Sequence, residues 1–236
     1  MPIGPSHANL TLGPSAGELH LPSGLANGRA ALVLHEAPGI TSNVQRRCKM
    51  LAAMGYVAFA PDLHRSDRAL GPAEVSAAMN AFRASPELLR SRVEENLTYL
   101  CDEARVSRQR VAVLGYCFGG MAALELARSG AEVAAVASFH GLLTTESPAA
   151  PGQVRTLVLV CTGGRDELVP PQDVLSFQQE MTAANARWEL VVYGQARHSF
   201  TNADATKFGD PRMLHDPYAD RKSWAALQEF LDFAYA

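Results

Sequence analysis

Several common signatures are missing from this chain of 236 residues. Its four cysteines, Cys48, Cys101, Cys117 and Cys161, are far apart, with no CxxC pair of the kind that holds zinc or cycles as a redox dithiol. No stretch approaches 18 consecutive apolar residues, which argues against a membrane-spanning helix. The opening MPIGPSHANLTLGPSAGELH has neither a basic n-region nor an unbroken apolar h-region, so export is not expected. A cytoplasmic chain with reduced thiols follows as the expectation. The net charge of -3 is spread over mixed acids and bases, without the single-sign blocks that mark nucleic-acid arms. Neither a nucleic-acid nor a membrane partner is expected. Internal repeats, Gly/Ser tracts and Pro-rich linkers are absent too, so the chain is expected to form one domain over residues 1–236. A monomer is the expectation for its assembly.

What is present is an alternation of short apolar runs with amphipathic segments. Strand-length runs occur at Ala30–Leu34, Tyr56–Ala60, Arg110–Leu114, Val133–Phe139, Thr156–Cys161 and Glu189–Tyr193. Continuous runs of Val, Leu and Ala suit strands buried on both faces, the environment of a parallel sheet. Between them, Val44, Cys48, Leu51 and Ala52 share a helical face before Gly55. Ser85-Pro86 reads as the cap and first position of a helix carrying Leu89, Val93, Leu97 and Leu100. Further helices are expected over Met121–Arg128, Gln172–Ala184 and Asp220–Tyr235. The alternation predicts a three-layer α/β sandwich around a mostly parallel sheet, with an antiparallel edge strand from the mixed stretch Gly17–Gly28.

The chemistry-bearing stretch is VAVLGYCFGG, residues 111–120. It places Cys117 where a strand hands over to a helix, the context of a nucleophile elbow. Side chains two positions to either side would collide in so tight a turn. Gly115 and Gly119 remove them, and Gly120 allows close packing of helix on sheet. A thiol at a helix N-terminus is favoured as thiolate, and the Phe118 N–H can donate to a developing oxyanion. The other three cysteines fall on or beside apolar faces and read as packing residues.

A nucleophile of this kind needs a base, and the base needs an acid that orients its ring, in the chain order nucleophile, acid, histidine. Asp166 stands in a Gly-rich loop after the Thr156–Cys161 run; Glu167 and Asp173 are the alternatives nearby. His198 follows the last strand-like run. Among the other histidines, His35 and His140 end strands and His64 follows one in a loop, whereas His7, His20 and His215 stand in segments remote from a site. The stretch Val33–Gly39 ends an early strand, where Ala37 N–H is the candidate second oxyanion donor and Glu36 is a carboxylate near the thiol.

These residues resemble the dienelactone hydrolase family of α/β-hydrolases from His35 to the C-terminal helix. The resemblance rests on His35-Glu36, Ala60-Pro61-Asp62-Leu63, Gly115-Tyr116-Cys117-Phe118-Gly119-Gly120, Asp166 and His198-Ser199-Phe200. It implies an α/β-hydrolase fold and a Cys117-Asp166-His198 triad that hydrolyses a small ester or enol-lactone with no cofactor and no metal. It also implies a thiol-modulating role for Glu36, which in the family restrains the resting thiol until substrate displaces it. Family members specific for the chloroaromatic ring-cleavage lactone grip its carboxylate with arginines, one of them four residues after the catalytic histidine. That position here is Asn202, the candidate substrate-binding residue, and it lacks the guanidinium's charge and planar fork. Arg65, Arg83 and Arg197 are the cations that could compensate. An acyltransferase or thioesterase on the same scaffold, or a non-enzymatic thiol sensor built on Cys117, are the alternative readings.

Overall fold

The computed structural model describes residues 7–10, 16–66 and 68–236. Eight strands form one sheet: β1 (His7–Leu10), β2 (Gly17–His20), β3 (Ala30–Leu34), β4 (Val57–Pro61), β5 (Val111–Tyr116), β6 (Ala135–Phe139), β7 (Leu157–Gly163) and β8 (Arg187–Tyr193). Their spatial order is β1-β2-β4-β3-β5-β6-β7-β8. The pairs from β4 to β8 are parallel, while β2 pairs antiparallel with both of its neighbours, β1 and β4. The antiparallel strand expected in Gly17–Gly28 is therefore β2, shorter than the stretch that suggested it. It does not form the edge, because β1 pairs outside it.

Period-two alternation divides β3 between two cores. Ala30, Leu32 and Leu34 face one hydrophobic layer, and Ala31 and Val33 face the other. Every residue of β3, β5 and β6 is buried, which is why these strands read as unbroken apolar runs. The layer on one side belongs to α1 (Ser42–Ala53) and α6 (Pro217–Ala234). The other belongs to α3 (Pro86–Ala104), α4 (Phe118–Arg128) and α5 (Pro171–Ala183).

One helix escapes the apolar pattern. α2 (Pro72–Ala84) buries only Phe82, so it presents little periodicity to read. Its start is marked instead by Pro at N1 and by the Glu74 carboxylate reaching back to the Gly71 N–H at 2.9 Å.

α4 is the opposite case, with all its residues buried. It carries charge through this interior by an ion network. Arg128 donates to Glu125 at 3.0 Å, to both Glu180 oxygens at 2.9 and 2.8 Å, and to the Leu143 carbonyl at 2.6 Å. Arg90 reaches the other Glu125 oxygen at 2.9 Å. The network ties α3, α4 and α5 together behind the sheet. Removing one member leaves the others as uncompensated buried charges. Arg128→Met is expected to lower the free energy of unfolding by about 3–5 kcal/mol in urea denaturation; a loss under about 1 kcal/mol would mean water reaches and solvates the two glutamates.

Candidate active site

The carboxyl ends of β3, β5, β6, β7 and β8 deliver Glu36, Cys117, His140, Asp166 and His198 to the same edge of the sheet. Cys117 occupies the turn between β5 and α4 with φ 54° and ψ -114°, a backbone that an L-residue adopts only under constraint. Its N–H supplies part of that constraint by donating to the Phe139 carbonyl at 3.0 Å and to His140 Nδ1 at 3.1 Å. The glycines supply the space. A Cβ on Gly115 would stand 1.8 Å from the Gly119 carbonyl oxygen, and one on Gly119 would stand 2.2 Å from the Leu34 carbonyl oxygen. Both obstacles are backbone, so neither can swing aside.

His198 Nε2 lies 3.0 Å from Cys117 Sγ, and its Nδ1 lies 2.8 Å from Asp166 Oδ2. Asp166 also accepts from the Leu168 N–H at 2.9 Å through its other oxygen, which fixes the carboxylate plane. Glu167 is exposed and Asp173 belongs to α5, so of the three neighbouring acids only Asp166 meets the imidazole. The backbone of His198 is held by the loop that follows, through His198 N to Arg212 O at 3.2 Å and Leu214 N to His198 O at 3.0 Å. Burial opposes a charge on this ring, but the Cys117 sulfur and the Asp166 carboxylate outweigh it and raise the imidazole's pKa to about 10.

Glu36 is buried beside this group, yet its hydrogen bonds go elsewhere. Asn202 Nδ2 donates to its two oxygens at 3.1 and 2.9 Å, Thr41 Oγ1 donates at 2.5 Å, and Asn43 Nδ2 lies at 3.5 Å. Burial raises the Glu36 pKa, against the pull of these donors and of His198. Asn202 is buried with its Oδ1 taken by the Asp204 N–H, so it serves Glu36 and does not line the cleft.

The sequence offered no direct sign of a second histidine chain. His140 Nδ1 accepts from Cys117 N–H, so its proton is on Nε2, which donates to Thr201 Oγ1 at 2.8 Å. Thr201 Oγ1 also accepts from Asn43 at 3.2 Å. Burial and the nearby His198 hold His140 well below its ordinary pKa, hence neutral. Its position after β6 was the available clue; Thr41 and Asn43 stand ahead of the Val44–Ala52 face and carry no pattern that points to the site.

A cleft of about 610 Å³ opens over Cys117. Pro38, Leu70, Pro72, Val75, Phe208 and Met213 form apolar parts of its wall. The cations on it are Lys207 and Arg212, neither of them singled out from sequence, and each is paired with an acid, Asp204 at 2.9 Å and Asp210 at 2.6 Å. Arg65 pairs with Glu95, Arg197 donates to the Pro211 carbonyl, and Arg83 lines a separate groove. Among the described residues no cluster of three or more His, Cys, Asp and Glu side chains is arranged to hold a metal ion, and no helix is long and apolar enough to cross a membrane.

The model of the dienelactone hydrolase family matches residues 16–234. The chain belongs to this family. A Salmonella typhimurium protein described as a candidate carboxymethylenebutenolidase is 29% identical over 241 residues, covering 90% of this chain and 87% of its own. Two solved structures superpose closely. One, m3DLH, gives a TM-score of 0.89 at 31% identity and covers 97% of this chain and 98% of its own. The other, a dienelactone hydrolase-like promiscuous phosphotriesterase from metagenomic libraries, gives 0.88 at 28% identity with the same coverage. The fold is that of the α/β-hydrolases in this family, and the protein is an ester or lactone hydrolase.

The elbow geometry makes a direct prediction. Gly115→Ala is expected to cost about 3 kcal/mol or more, because the new methyl meets only backbone. Thermal unfolding followed by circular dichroism would measure it, and stability equal to wild type would mean that the turn opens without cost.

Proposed function

We propose that this dienelactone hydrolase family member cleaves a small ester or lactone through Cys117, with His198 and Asp166 completing a triad. The observation that carries this reading is the continuous contact from Asp166 Oδ2 through both ring nitrogens of His198 to Cys117 Sγ, at 2.8 and 3.0 Å, at the floor of an accessible cleft. Geometry comes before acidity in such an assignment, and here both agree.

The chemistry follows from the starting charge. The raised pKa of His198 lets the ring take up the thiol proton, and the attacking species in this mechanism is a thiolate beside an imidazolium. The sulfur attacks the ester carbonyl carbon, and the oxygen takes up the displaced electron pair. Two N–H groups are suited to receive it, those of Phe118 and Ala37, since neither donates to any acceptor among the described residues. Collapse of the tetrahedral adduct breaks the ester C–O bond, and His198 gives its proton to the departing oxygen. A water then loses a proton to the neutral His198 and attacks the thioester. Expulsion of the thiolate releases the acid and restores the ion pair. Asp166 keeps the ring in place through both changes of charge.

Glu36 fits a modulating role that acts at a distance. It is bonded to Asn202 and Thr41, so any restraint on Cys117 passes through the field at His198, to which Glu36 couples, or requires the carboxylate to turn. The cleft's apolar wall and paired cations suit a compact ester better than a polyanion.

Three measurements test the reading. Cys117→Ala is expected to lower turnover of p-nitrophenyl acetate or butyrate at least about 1,000-fold with unfolding unchanged, and retained turnover would overturn the assignment. Product analysis with added alcohol or amine separates hydrolysis from acyl transfer. Iodoacetamide at neutral pH is expected to modify Cys117 first, because burial pushes the Cys101 thiol up and the Cys161 thiol up to about 12. Equal labelling of Cys101 and Cys117 would remove the thiolate from the mechanism.

A further inference from the structure

His35 is wholly buried just past the end of β3, yet it grips a peptide unit, Glu36–Ala37, that lines the cleft together with Cys117. Its Nε2 accepts the Leu63 N–H at 2.9 Å, so that nitrogen carries no proton. Its Nδ1 lies 2.7 Å from the Glu36 carbonyl oxygen, which can only accept. The ring is therefore one neutral tautomer with its single N–H aimed at Glu36 O. Burial and the neighbouring His64 push its pKa down to about 3, so it stays neutral wherever the protein works.

The carbonyl it binds belongs to the Glu36–Ala37 peptide, whose other pole is the Ala37 N–H. A planar trans peptide points its C=O and N–H in opposite directions, so fixing the oxygen fixes the hydrogen. Gly39 N–H donates to the same oxygen at 3.0 Å. Two donors on one carbonyl draw electron density from the amide and make its N–H a stronger donor. One peptide later His64 Nε2 donates to Ala37 O at 2.8 Å, which anchors the Ala37–Pro38 unit, a peptide with no N–H of its own, and the ring stacks on Phe118 at 5.2 Å between ring centroids. The backbone oxygen of His35 meanwhile accepts Gly119 N–H at 2.9 Å, fastening this loop to the α4 turn that carries the Phe118 N–H.

We propose that His35 is a positioning residue for transition-state stabilisation: its Nδ1–H orients and polarises the Glu36–Ala37 peptide so that the Ala37 N–H can receive the oxyanion. The inference rests on the acyl-transfer reading above. Leu63 N–H sets the tautomer, the tautomer sets the donor, and the donor sets the peptide. The loop 62–66 is itself shaped by Asp62, whose two oxygens accept from His64 N at 2.9 Å and Ser66 N at 2.6 Å.

Two isosteres separate this role from packing. An asparagine side chain can place an N–H near the position of Nδ1, and a glutamine can place an acceptor near the position of Nε2. His35→Asn is expected to keep kcat for p-nitrophenyl butyrate within about 3-fold of wild type. His35→Gln is expected to lose about 10-fold or more in kcat, a fraction of what loss of a whole oxyanion donor costs, with KM changed less than about 2-fold. Both proteins are checked for cooperative thermal unfolding, and Cys117→Ala is run in parallel. Equal losses in the two variants, or a loss in KM alone, would overturn the proposal. Turnover that survives Cys117→Ala would instead overturn the acyl-transfer reading on which it stands.

Discussion

The arrangement depends on how closely the first turn of α4 can approach the end of β3. With glycine at 119 the helix backbone comes near enough for its N–H to bond the His35 carbonyl, where a methyl would overlap the Leu34 carbonyl oxygen. That contact brings the Cys117 turn, the Phe118 N–H and the Ala37 peptide into one small region. It also explains why α4 must be buried along its whole length, since a helix this close to the sheet is covered by α3 and α5. The cost is an interior that must solvate the charges of Glu125 and Arg128 without water. The ion network with Arg90 and Glu180 performs this task. The strained Cys117 turn at one end of α4 and charge pairing at the other are two consequences of the same packing.

What could be read from residues alone follows from where burial is complete. β3, β5 and β6 are inaccessible on both faces, so composition alone marks them, and the elbow glycines announce the turn between β5 and α4. Strand ends were less legible: β5 and β7 each run two residues past the apolar stretch, because backbone pairing continues through Gly115-Tyr116 and Thr162-Gly163 after side-chain hydrophobicity has stopped signalling it. α2 was unreadable for the converse reason, as it buries a single side chain. At the site, chain order was enough to bring Asp166 and His198 forward. It could not show that Asn202 turns inward to Glu36, or that His140 takes the Cys117 N–H. Those contacts join residues more than 20 positions apart through side-chain orientation, which no local pattern encodes.

The pairing of Glu36 with Asn202 changes the charge balance of the site. An arginine there would set a full positive charge against the carboxylate and favour its ionised form. Asparagine offers only a dipole, and with Thr41 and Asn43 it does not offset burial, so the Glu36 pKa stays raised. The consequence falls on His198. Two carboxylates near one imidazolium would compete for it, and the one bonded to Nδ1 orients the ring usefully while the other can only distort it. The raised pKa of Glu36 weakens it as a rival to Asp166, the carboxylate that is bonded to Nδ1. The three neutral histidines around the site act in the same direction. His35, His64 and His140 are all pushed below their ordinary pKa by burial, and each is bound through a specific ring nitrogen to backbone or to a hydroxyl. They supply directional hydrogen bonds without adding positive charge beside Cys117 and His198. Of the four, His198 alone has its pKa raised, and each of the other three is held in one orientation by a hydrogen bond to backbone or to a hydroxyl.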